Sequence, residues 1–537
     1  MPKRLETLVK WLLGPEAITE KRSSHLWARW IFLRALGWIY FSAFYSLLFQ
    51  VKGLIGPTGI LPASDYLQAV SGVLHAHRFW FAPTLLWFGA SDRALMLLCG
   101  AGILASLLVI LNAWPRGTLT ICFVCFLSFA SAAQDFSGYQ SDGMLLEAGF
   151  LALFFAPSGF WPGLGRAHAP SRASWFLLFW EWFRIYFESG VAKIASGDSA
   201  WRHLTAMDDY YQNGPLPTWI GWYVQHLPHW FHATTTVFTL AAELALVWLM
   251  FLPRRFRIAC FCMATPFQIA IILTANYTFL NYLVLALGFL LLDDRFLEWV
   301  LPPRMRGLME TALDRPSATV QPEGWRIEWR KRLAPARVIV AGALLGLIFY
   351  TTTIEMAWMF FRPVPLPEKP VTLLEPFRIA NRYGLFAVMT HGRYEIEFQG
   401  SRDGRTWVAY PFLYKPQDVS KAPGIYAPYQ PRFDWNLWFA SLGAWREYPF
   451  VVWTEERLLR NDADVLALFA GNPFGDAPPK RIRVVIYQYW FTDLETKREQ
   501  GMWWRRELLS EYAPGLEHAP DGKILLRDIP ILPPREP

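Results

Sequence analysis

The sequence predicts a polytopic α-helical membrane bundle of about nine spans, followed by a C-terminal, mainly β domain of the sandwich type. Two observations carry this prediction. The 537-residue chain is 53% hydrophobic and only 18% charged, whereas soluble domains are about 25% charged. Apolar stretches of membrane-spanning length recur as far as residue 361 and then stop. This composition excludes a disordered chain, a fibrous protein and a conventional soluble enzyme.

Nine apolar stretches are long enough, or nearly so, to cross a hydrocarbon core of about 30 Å as helices. They are 26–49, 94–113, 117–133, 140–156, 173–194, 232–252, 256–274, 277–292 and 336–361. The stretches 117–133 and 140–156 are short, and dropping either would reverse the orientation of everything after it.

Lys and Arg are concentrated on one side of this nine-span arrangement. With a cytoplasmic N-terminus, the inner segments carry 20 Lys and Arg residues, and the outer loops before residue 336 carry four. Because basic residues favour cytoplasmic loops, the sequence predicts an inside N-terminus and an outside C-terminus. The net charge of +7 follows from these flanking residues, so no nucleic-acid partner is needed to explain the positive charge. The predicted partner is the lipid bilayer.

Beyond the last span the chain changes character. We predict a transmembrane domain over 1–361, a Pro-rich extended linker over 362–375 and a soluble, extracytoplasmic domain over 376–537. The third segment contains no further apolar stretch that is long enough to span a membrane.

Strand signals dominate the predicted soluble domain. Residues 394–399 alternate apolar and polar, 400–404 have a turn composition and 406–410 resume the alternation, which indicates a β-hairpin. A second strand is predicted at 482–491. Between them, 455–469 has helical spacing and ends before Asn472-Pro473. We therefore expect a mainly β domain with one or two helices.

Seven charged residues lie inside the three predicted spans 140–156, 173–194 and 232–252, where each costs about 2.5–3.5 kcal/mol on insertion scales. They are Asp142, Glu147, Glu181, Arg184, Glu188, Lys193 and Glu243. Glu181, Arg184 and Glu188 share one helix face, where Arg184 can pair with either carboxylate. Lys193 lies off that face unless Ser189-Gly190 breaks the helix. Two interpretations stay open: a charge-paired network that fixes helix assembly, or a polar cavity in which Lys193 acts as a base.

The cysteines and histidines carry weaker signals. All five cysteines lie in predicted spans, and Cys122-Phe-Val-Cys125 matches C-x-x-C without the aqueous access that a redox thiolate needs. We predict that they are small packing residues, with redox or metal chemistry as the alternative. The histidines and aspartates of the loop 196–231 have no strong ligand spacing. The sequence therefore predicts no metal and no cofactor.

Several segments between about residues 25 and 495 carry long motifs. In the membrane half they are Tyr139-Gln-Ser-Asp-Gly-Met-Leu-Leu-Glu-Ala-Gly-Phe150 and Phe187-Glu-Ser-Gly-Val-Ala-Lys193, with 196–201, 204–206 and 216–228. In the C-terminal part they are Asn381-Arg-Tyr-Gly-Leu-Phe386, Pro431-Arg-Phe-Asp-Trp-Asn-Leu-Trp-Phe-Ala440, Asn472-Pro-Phe474 and Tyr487-Gln-Tyr-Trp-Phe-Thr492. Together these segments resemble the lipase maturation factor family.

The resemblance implies an endoplasmic-reticulum-type membrane protein that helps secreted dimeric lipases reach their active fold, with the C-terminal region engaging the client. We therefore expect a non-enzymatic folding factor whose partner is a secreted protein, possibly a lipase. The client-binding candidates are Asn381, Tyr383, Asp434, Trp435 and Trp438, although the tryptophans also fit the core of a β domain. The basic, cysteine-poor chain has no obvious retention signal, which favours a bacterial inner membrane with the C-terminal domain in the periplasm. In a eukaryote that domain would lie in the lumen of the endoplasmic reticulum.

A second, shorter motif points to a different function. Gly190-Val-Ala-Lys193 followed by Trp201 is similar to a motif of the vitamin K-dependent gamma-carboxylase group of membrane proteins. The matching lysine serves in catalysis there, so the similarity implies Lys193 as a catalytic base. The alternative function is therefore an integral-membrane enzyme. A cavity that encloses Lys193 would favour the enzyme, and a sealed, ion-paired bundle would favour the assembly factor.

Overall fold

The chain folds into a helical half, up to residue 361, and a C-terminal part built on a small sheet. The computed structural model describes residues 12, 25–166, 168–304, 307, 324–361, 364–519, 521, 523–527 and 529–535, with the backbone alone for 324–335. The α-helices of the first half are α1 (Leu26–Leu48), α2 (Val51–Ile55), α3 (Ala63–Leu74), α4 (Arg78–Phe81), α5 (Asp92–Ile110), α6 (Pro115–Ala132), α7 (Gln140–Phe155), α8 (Arg172–Ala195), α9 (Ser199–Arg202), α10 (Ala206–Asn213), α11 (Trp219–Gln225), α12 (His229–Leu244), α13 (Arg254–Thr274), α14 (Leu280–Gly288), α15 (Asp294–Val300) and α16 (Gly324–Ala357).

Within the described ranges, six helices are long and apolar enough to cross a membrane. They are Leu26–Leu48, Asp92–Ile110, Pro115–Ala132, His229–Phe251, Arg254–Thr274 and Ala336–Ala357. All six coincide with predicted spans. The fourth includes α12 and the short 3₁₀ segment that follows it.

The other three predicted spans coincide with α7, α8 and α14, whose side chains are mostly buried. α7 has 16 residues, α8 carries four charged residues beyond its first turn, and α14 has nine residues before it tightens into a 3₁₀ turn. A helix that contacts protein rather than lipid needs neither full bilayer length nor uniform apolarity. The count of nine spans and their orientation therefore stay predictions.

Local sequence sets where some of these helices begin. At the start of α8 the Ser171 hydroxyl accepts a hydrogen bond from the backbone N–H of Ser174 at 3.2 Å, which satisfies a donor that the first helical turn leaves free. Pro115 lies in the first turn of α6, where its missing N–H costs nothing. The polar helix α8 thus begins at a side-chain cap, as the apolar helix α5 does at Ser91.

The C-terminal part contains a five-stranded antiparallel sheet in the order β2-β1-β3-β4-β5. The strands are β1 (Arg393–Ser401), β2 (Val408–Ala409), β3 (Arg481–Phe491), β4 (Trp504–His518) and β5 (Ile524–Leu526). The predicted hairpin is present between β1 and β2. Its turn is held by Asp403 Oδ1, which accepts the backbone N–H groups of Arg405 and Thr406 at 2.8 and 2.7 Å, and Gly404 adopts φ +73°.

The predicted sandwich is wrong for the residues that the structure describes, because their strands form one sheet covered by helices. The helices are α17 (Lys369–Leu374), α18 (Arg432–Leu442), α19 (Phe450–Leu459), α20 (Ala463–Leu466) and α21 (Leu494–Gln500). α18 packs against β1, and α19 packs against β3 and β4. Phe433, Leu437 and Ala440 recur at i, i+4, i+7 spacing and are all buried, so this segment forms a helix face where a second sheet would otherwise lie.

The two halves share one hydrophobic core. A single cluster of buried apolar side chains runs from Phe32 of α1 through Leu146 of α7 to Ile396 of β1 and Val484 of β3. The predicted extended linker is helical where α17 lies, and a 3₁₀ turn follows it. The domain boundaries at 361 and 376 stay predictions, since packing is continuous across the described residues on either side.

The cysteines lie within the helical half as free thiols. Cys99, Cys122, Cys125 and Cys260 are buried, whereas Cys262 of α13 is exposed. The four buried thiols have the packing positions that the sequence predicts.

Candidate functional site

Two groups of predicted residues, the charges of the spans and the client-binding candidates, meet where the two halves join. Glu147 of α7 and Arg184 of α8 form an ion pair whose side chains are 1% and 0% exposed. Arg184 Nη1 also donates to the backbone oxygen of Asn381 at 2.5 Å. Glu147 Oε2 accepts the backbone N–H of Asn381 at 3.0 Å, its Nδ2 at 3.1 Å and the Tyr383 hydroxyl at 2.9 Å. We call these four residues the junction cluster.

The junction cluster is sealed, and most of its polar atoms are engaged. Tyr383 is buried, and its ring lies 5.1 Å from the guanidinium carbon of Arg184. Asn381 Nδ2 donates to the Gly143 backbone oxygen at 3.0 Å as well. Because one carboxylate collects three donors and a guanidinium, the charges stabilise each other and are not offered to a ligand. Asn381 and Tyr383 are therefore placed to attach the C-terminal part to the bundle, and their direct contact with a client stays a prediction.

A second ion pair crosses the same junction. Arg432 Nη1 and Nη2 donate to Asp142 Oδ2 and Oδ1 at 2.7 and 2.9 Å, and Nη1 also donates to the Phe136 backbone oxygen at 2.6 Å. Glu188 Oε2 accepts the backbone N–H of Tyr383 at 2.7 Å. Bidentate guanidinium–carboxylate pairs are among the strongest polar contacts. Two predicted intramembrane acids thus bind the C-terminal part directly.

Glu181 differs from its neighbours on α8. It is fully buried, and within the described ranges neither carboxylate oxygen has a hydrogen-bond partner. Arg184 pairs with Glu147 on another helix, whereas the sequence predicts Glu181 or Glu188 as its partner. The shared helix face therefore exists, but the counter-charge comes from α7.

Lys193 lies apart from the junction cluster. α8 stays helical through Ser189 and Gly190 to its end, so the helix break considered from the sequence does not occur. Lys193 Nζ lies 2.9 Å from Glu243 Oε1 of α12 and donates to the Leu385 backbone oxygen at 2.9 Å. The structure thus separates Lys193 from the three charges with which the sequence groups it.

The Lys193–Glu243 pair borders a cavity of about 410 Å³ among α8, α12, α13 and α14. We call it the membrane cavity. Its lining is mostly aromatic and aliphatic, and Leu385 and Phe386 of the C-terminal part close one wall. The Trp201 ring centroid lies 5.2 Å from Lys193 Nζ. A cavity bordered by Lys193 exists, but the ammonium is already held by a carboxylate and a backbone oxygen.

A second cavity, of about 710 Å³, opens between the two halves. We call it the junction groove. Trp435, Trp438 and Phe439 of α18 line it, opposite Tyr139 and Val388. Trp438 Nε1 donates to the Asn213 backbone oxygen at 3.1 Å, so this indole is fixed in place. Trp435 and Trp438 therefore serve the core and a cavity wall together.

Asp434, on the same helix, does not line either cavity. Its buried Oδ1 accepts the backbone N–H groups of Tyr414 and Lys415 at 3.3 and 3.0 Å. Burial raises the pKa of Asp434 to about 6, although the backbone donors and the Lys415 ammonium oppose that rise. The carboxylate organises the preceding loop, and contact of Asp434 with a client stays a prediction.

Two residues that sequence reasoning passed over hold the junction. Arg432 supplies the partner of Asp142, and a charged residue at the start of an apolar helix was the available signal. Asn276 is 2% exposed; its Nδ2 donates to the Gly424 backbone oxygen at 2.9 Å, and its Oδ1 accepts the N–H of Tyr426 at 2.7 Å. Asn276-Tyr-Thr278 is a formal glycosylation sequon, but its asparagine amide is buried and already engaged in these contacts.

Comparison with known proteins follows the same division into two parts. The family model described as the lipase maturation factor transmembrane domain matches residues 27–299, and the one described as the lipase maturation factor C-terminal domain matches residues 379–514. No solved structure matches the chain.

Related proteins match most of the chain. A protein named lipase maturation factor 2 from Gallus gallus is 32% identical, with 90% of this chain and 81% of the relative covered. Its Homo sapiens counterpart is 30% identical, with 93% and 84% covered. Lipase maturation factor 1 from Bos taurus is 32% identical, with 92% and 90% covered.

These matches confirm the resemblance of the sequence motifs and, with the six apolar helices, show an integral membrane protein. Both halves are matched: Asp142 and Glu147 lie within the first matched segment, and Asn381 and Arg432 lie within the second. The chain belongs to the lipase maturation factor family.

Proposed function

We propose that this protein is a membrane-held maturation factor that binds partly folded secreted proteins, lipases first among them, in the junction groove. The family supports a maturation role. The observation that supports the location is the open, aromatic groove between the two halves, with Trp435 and Trp438 in its wall. The proposed role is non-enzymatic: the protein binds a client and releases it.

The composition of the groove suits a polypeptide that still exposes apolar side chains. Aromatic side chains give large contact areas at small entropic cost and dominate protein-recognition surfaces. Val388, which is 67% exposed, projects an aliphatic side chain at the edge of the groove. A partly folded client still exposes apolar side chains, which it can bury in this groove. A fully folded protein has already buried them in its own core.

The groove is preformed. The Met389 backbone N–H donates to Asp198 Oδ2 at 2.7 Å, and Asn213 Nδ2 donates to the Thr390 backbone oxygen at 2.8 Å. These contacts hold the irregular segment 384–390, which forms one wall, against the helical half. Because the wall is ordered before binding, less conformational entropy is lost when a client binds.

The groove lies on the side of the membrane that holds the C-terminal part. We propose that this side is the periplasm of a bacterial inner membrane, or the lumen of the endoplasmic reticulum if the source is eukaryotic. Secreted proteins fold in these compartments, so a client would meet the groove there. The excess of Lys and Arg in the opposite segments supports this orientation.

Co-production with a secreted lipase tests the proposal. We expect the lipase to gain specific activity at unchanged intact mass when the protein is present. Val388→Asp should lower that gain severalfold, because burying an unpaired carboxylate at a contact costs on the order of 2 kcal/mol or more. Leu494→Asp is the matched control, since Leu494 is also exposed but lies on α21, outside the groove lining.

Three outcomes would contradict parts of the proposal separately. If the two aspartate variants behave alike, the groove is not the client site. If the wild-type protein changes neither activity nor mass, lipases are not its clients. A shift in lipase mass that requires this protein would replace the folding factor with an enzyme.

A further inference from the structure

The membrane cavity has the features of a ligand site that the maturation role does not use. Its volume of about 410 Å³ falls in the range of small-molecule sites, about 300–1,000 Å³. Its walls are aromatic and aliphatic side chains of α8, α12, α13 and α14, among them Tyr186, Phe267 and Ile271. An apolar cavity of this size inside a membrane bundle calls for an apolar ligand.

The polar side chains that line the membrane cavity, which we call its polar end, carry no net charge. Gln268 Nε2 donates to the Tyr186 hydroxyl at 2.8 Å, and Asn281 Nδ2 donates to Gln268 Oε1 at 2.7 Å. Lys193 and Glu243 neutralise each other at 2.9 Å. A ligand with a carboxylate or phosphate would add an uncompensated charge here, whereas hydroxyl and ester groups match the amides.

One buried donor at this end remains unused. Trp201 lines the cavity and is 1% exposed, and within the described part of the chain its Nε1 has no hydrogen-bond partner. A buried indole N–H normally finds an acceptor. An oxygen of a bound ligand would supply one.

The mouth of the membrane cavity lies on the outer surface of the bundle, between α12 and α13. Phe238 of α12 and Ala270 of α13 line the cavity and are also exposed. The rings of Phe238 and Phe267 meet across the gap with centroids 5.6 Å apart. Both helices belong to the apolar candidate spans, and α13 is exposed along most of its length. The surface around the mouth is therefore in contact with lipid.

We propose that the membrane cavity binds a single acyl chain whose head is uncharged and bears hydroxyl groups, as in a monoacylglycerol. The chain passes sideways from the bilayer between α12 and α13, and the head lies against Asn281 and Trp201. The medium at the mouth is hydrocarbon, the walls match an alkyl chain, and the neutral polar end selects the head. This site is independent of client binding in the junction groove, although Leu385 and Phe386 form part of both walls.

Photolabelling of the full chain in phosphatidylcholine nanodiscs tests the site. The probe is a monoacylglycerol with a diazirine in its acyl chain, and labelled peptides are mapped by mass spectrometry. We expect labels on cavity-lining positions of α12 and α13, such as Phe238 and Ile271. Excess unlabelled monoacylglycerol should suppress them, and a fatty acid or lysophosphatidic acid of equal chain length should not.

Two matched variants separate the cavity from the lipid-facing surface. Ala270→Trp places an indole in the mouth, in the space that the acyl chain needs. It should therefore lower cavity labelling about tenfold. Ile269→Trp, at the neighbouring exposed position outside the lining, should leave labelling unchanged. Thr239→Phe fills the cavity from the opposite helix and should reproduce the loss. The melting temperature of each variant shows that it is folded.

Several results would overturn the proposal. Labels confined to outward positions, equal in all variants, would mean that only surface lipid is bound. Equal competition by the charged analogues would refute the selection of an uncharged head. Suppression by an unfolded lipase, and by no lipid, would assign the cavity to the client.

Discussion

The junction cluster and the Lys193–Glu243 pair both place charges inside the helical half, yet their surroundings differ. In the junction cluster, Glu147 and Arg184 are enclosed by Asn381 and Tyr383 of the C-terminal part. The Lys193–Glu243 pair instead borders a cavity of about 410 Å³. The middle of α8 therefore holds the two halves together, whereas its C-terminal end borders a cavity. Charge in a membrane helix indicates a polar site but does not say whether that site is sealed.

The two interpretations of the membrane charges each describe one part of α8. The charge-paired network fits Arg184 and Glu188, which bind the chain around Tyr383. The cavity fits Lys193, three turns further along from Glu181. A cavity bordered by Lys193, which the sequence analysis named as favouring the enzyme, is present. However, Lys193 is ion-paired with Glu243 there, and Glu181, Arg184 and Glu188 lie outside the lining. This distribution favours the maturation factor without testing the chemistry of Lys193.

The largest effect should come from breaking the sealed pair. Arg184→Met leaves the Glu147 carboxylate buried without its counter-charge, and removing one partner of a buried ion pair costs about 3–5 kcal/mol. We expect that loss in the free energy of unfolding, measured by chemical denaturation in detergent micelles. Cleavage by a protease between the halves should also accelerate, since the same guanidinium holds the Asn381 backbone oxygen.

Two further variants make this result specific. Glu147→Gln combined with Arg184→Met removes both charges and should recover part of the loss. Arg505→Met removes an exposed arginine of β4 and should change stability little. Equal stability of wild type and Arg184→Met would show that the junction cluster does not hold the halves together.

The contrast between Arg184 and Lys193 on α8 also shows which contacts can be predicted from the sequence and which cannot. Helical spacing predicted the charged face of α8, and turn composition predicted the turn around Asp403, because both depend on neighbours a few residues apart. It could not pair Arg184 with Glu147, 37 residues away, or Asp142 with Arg432, 290 residues away. Those pairs depend on how whole helices pack, which spacing does not encode.

The C-terminal part and the groove illustrate the same limit. Strand alternation predicted β1 and β3, but the helix α18 that covers β1 was missed, so the expected sandwich was wrong. The sequence singled out the tryptophans of α18, and the groove that they line also needs Tyr139 and Val388 from distant segments. A cavity built from three segments has no local signal, and the family motifs include Tyr139 and the tryptophans but not Val388.

Asp434 offers a third environment for a buried charge and an intermediate effect. Its carboxylate is stabilised mainly by backbone N–H groups, and burial still raises its pKa to about 6, compared with about 3.9 in an unfolded chain. A raised pKa means that the stability this group contributes is fully present below about pH 3.9 and is lost as the pH rises through 6. At neutral pH the ionised carboxylate should therefore cost up to about 3 kcal/mol.

Asp434→Asn should remove that cost, because an amide oxygen can still accept from Tyr414 and Lys415. We expect the free energy of unfolding of the variant to exceed that of wild type by up to about 3 kcal/mol at pH 7.5. The difference should shrink towards pH 4. The measurement is a series of denaturant titrations between pH 4 and 8. A constant difference across that range would contradict a titrating Asp434.

The smallest effect should come from the pair beside the membrane cavity. Lys193→Met removes the partner of Glu243, but the neighbouring space can admit a water molecule, and the Gln268–Asn281 amides lie in the same lining. We therefore expect a loss of about 1–3 kcal/mol, below that of Arg184→Met, in the same denaturation measurement. An equal loss would mean that Lys193 and Arg184 are equally shielded from water. Because the variant should stay folded, it also tests Lys193 as a base. Unchanged activity and intact mass of a co-produced lipase would make the lysine structural, whereas disappearance of a mass shift seen with wild type would make it catalytic.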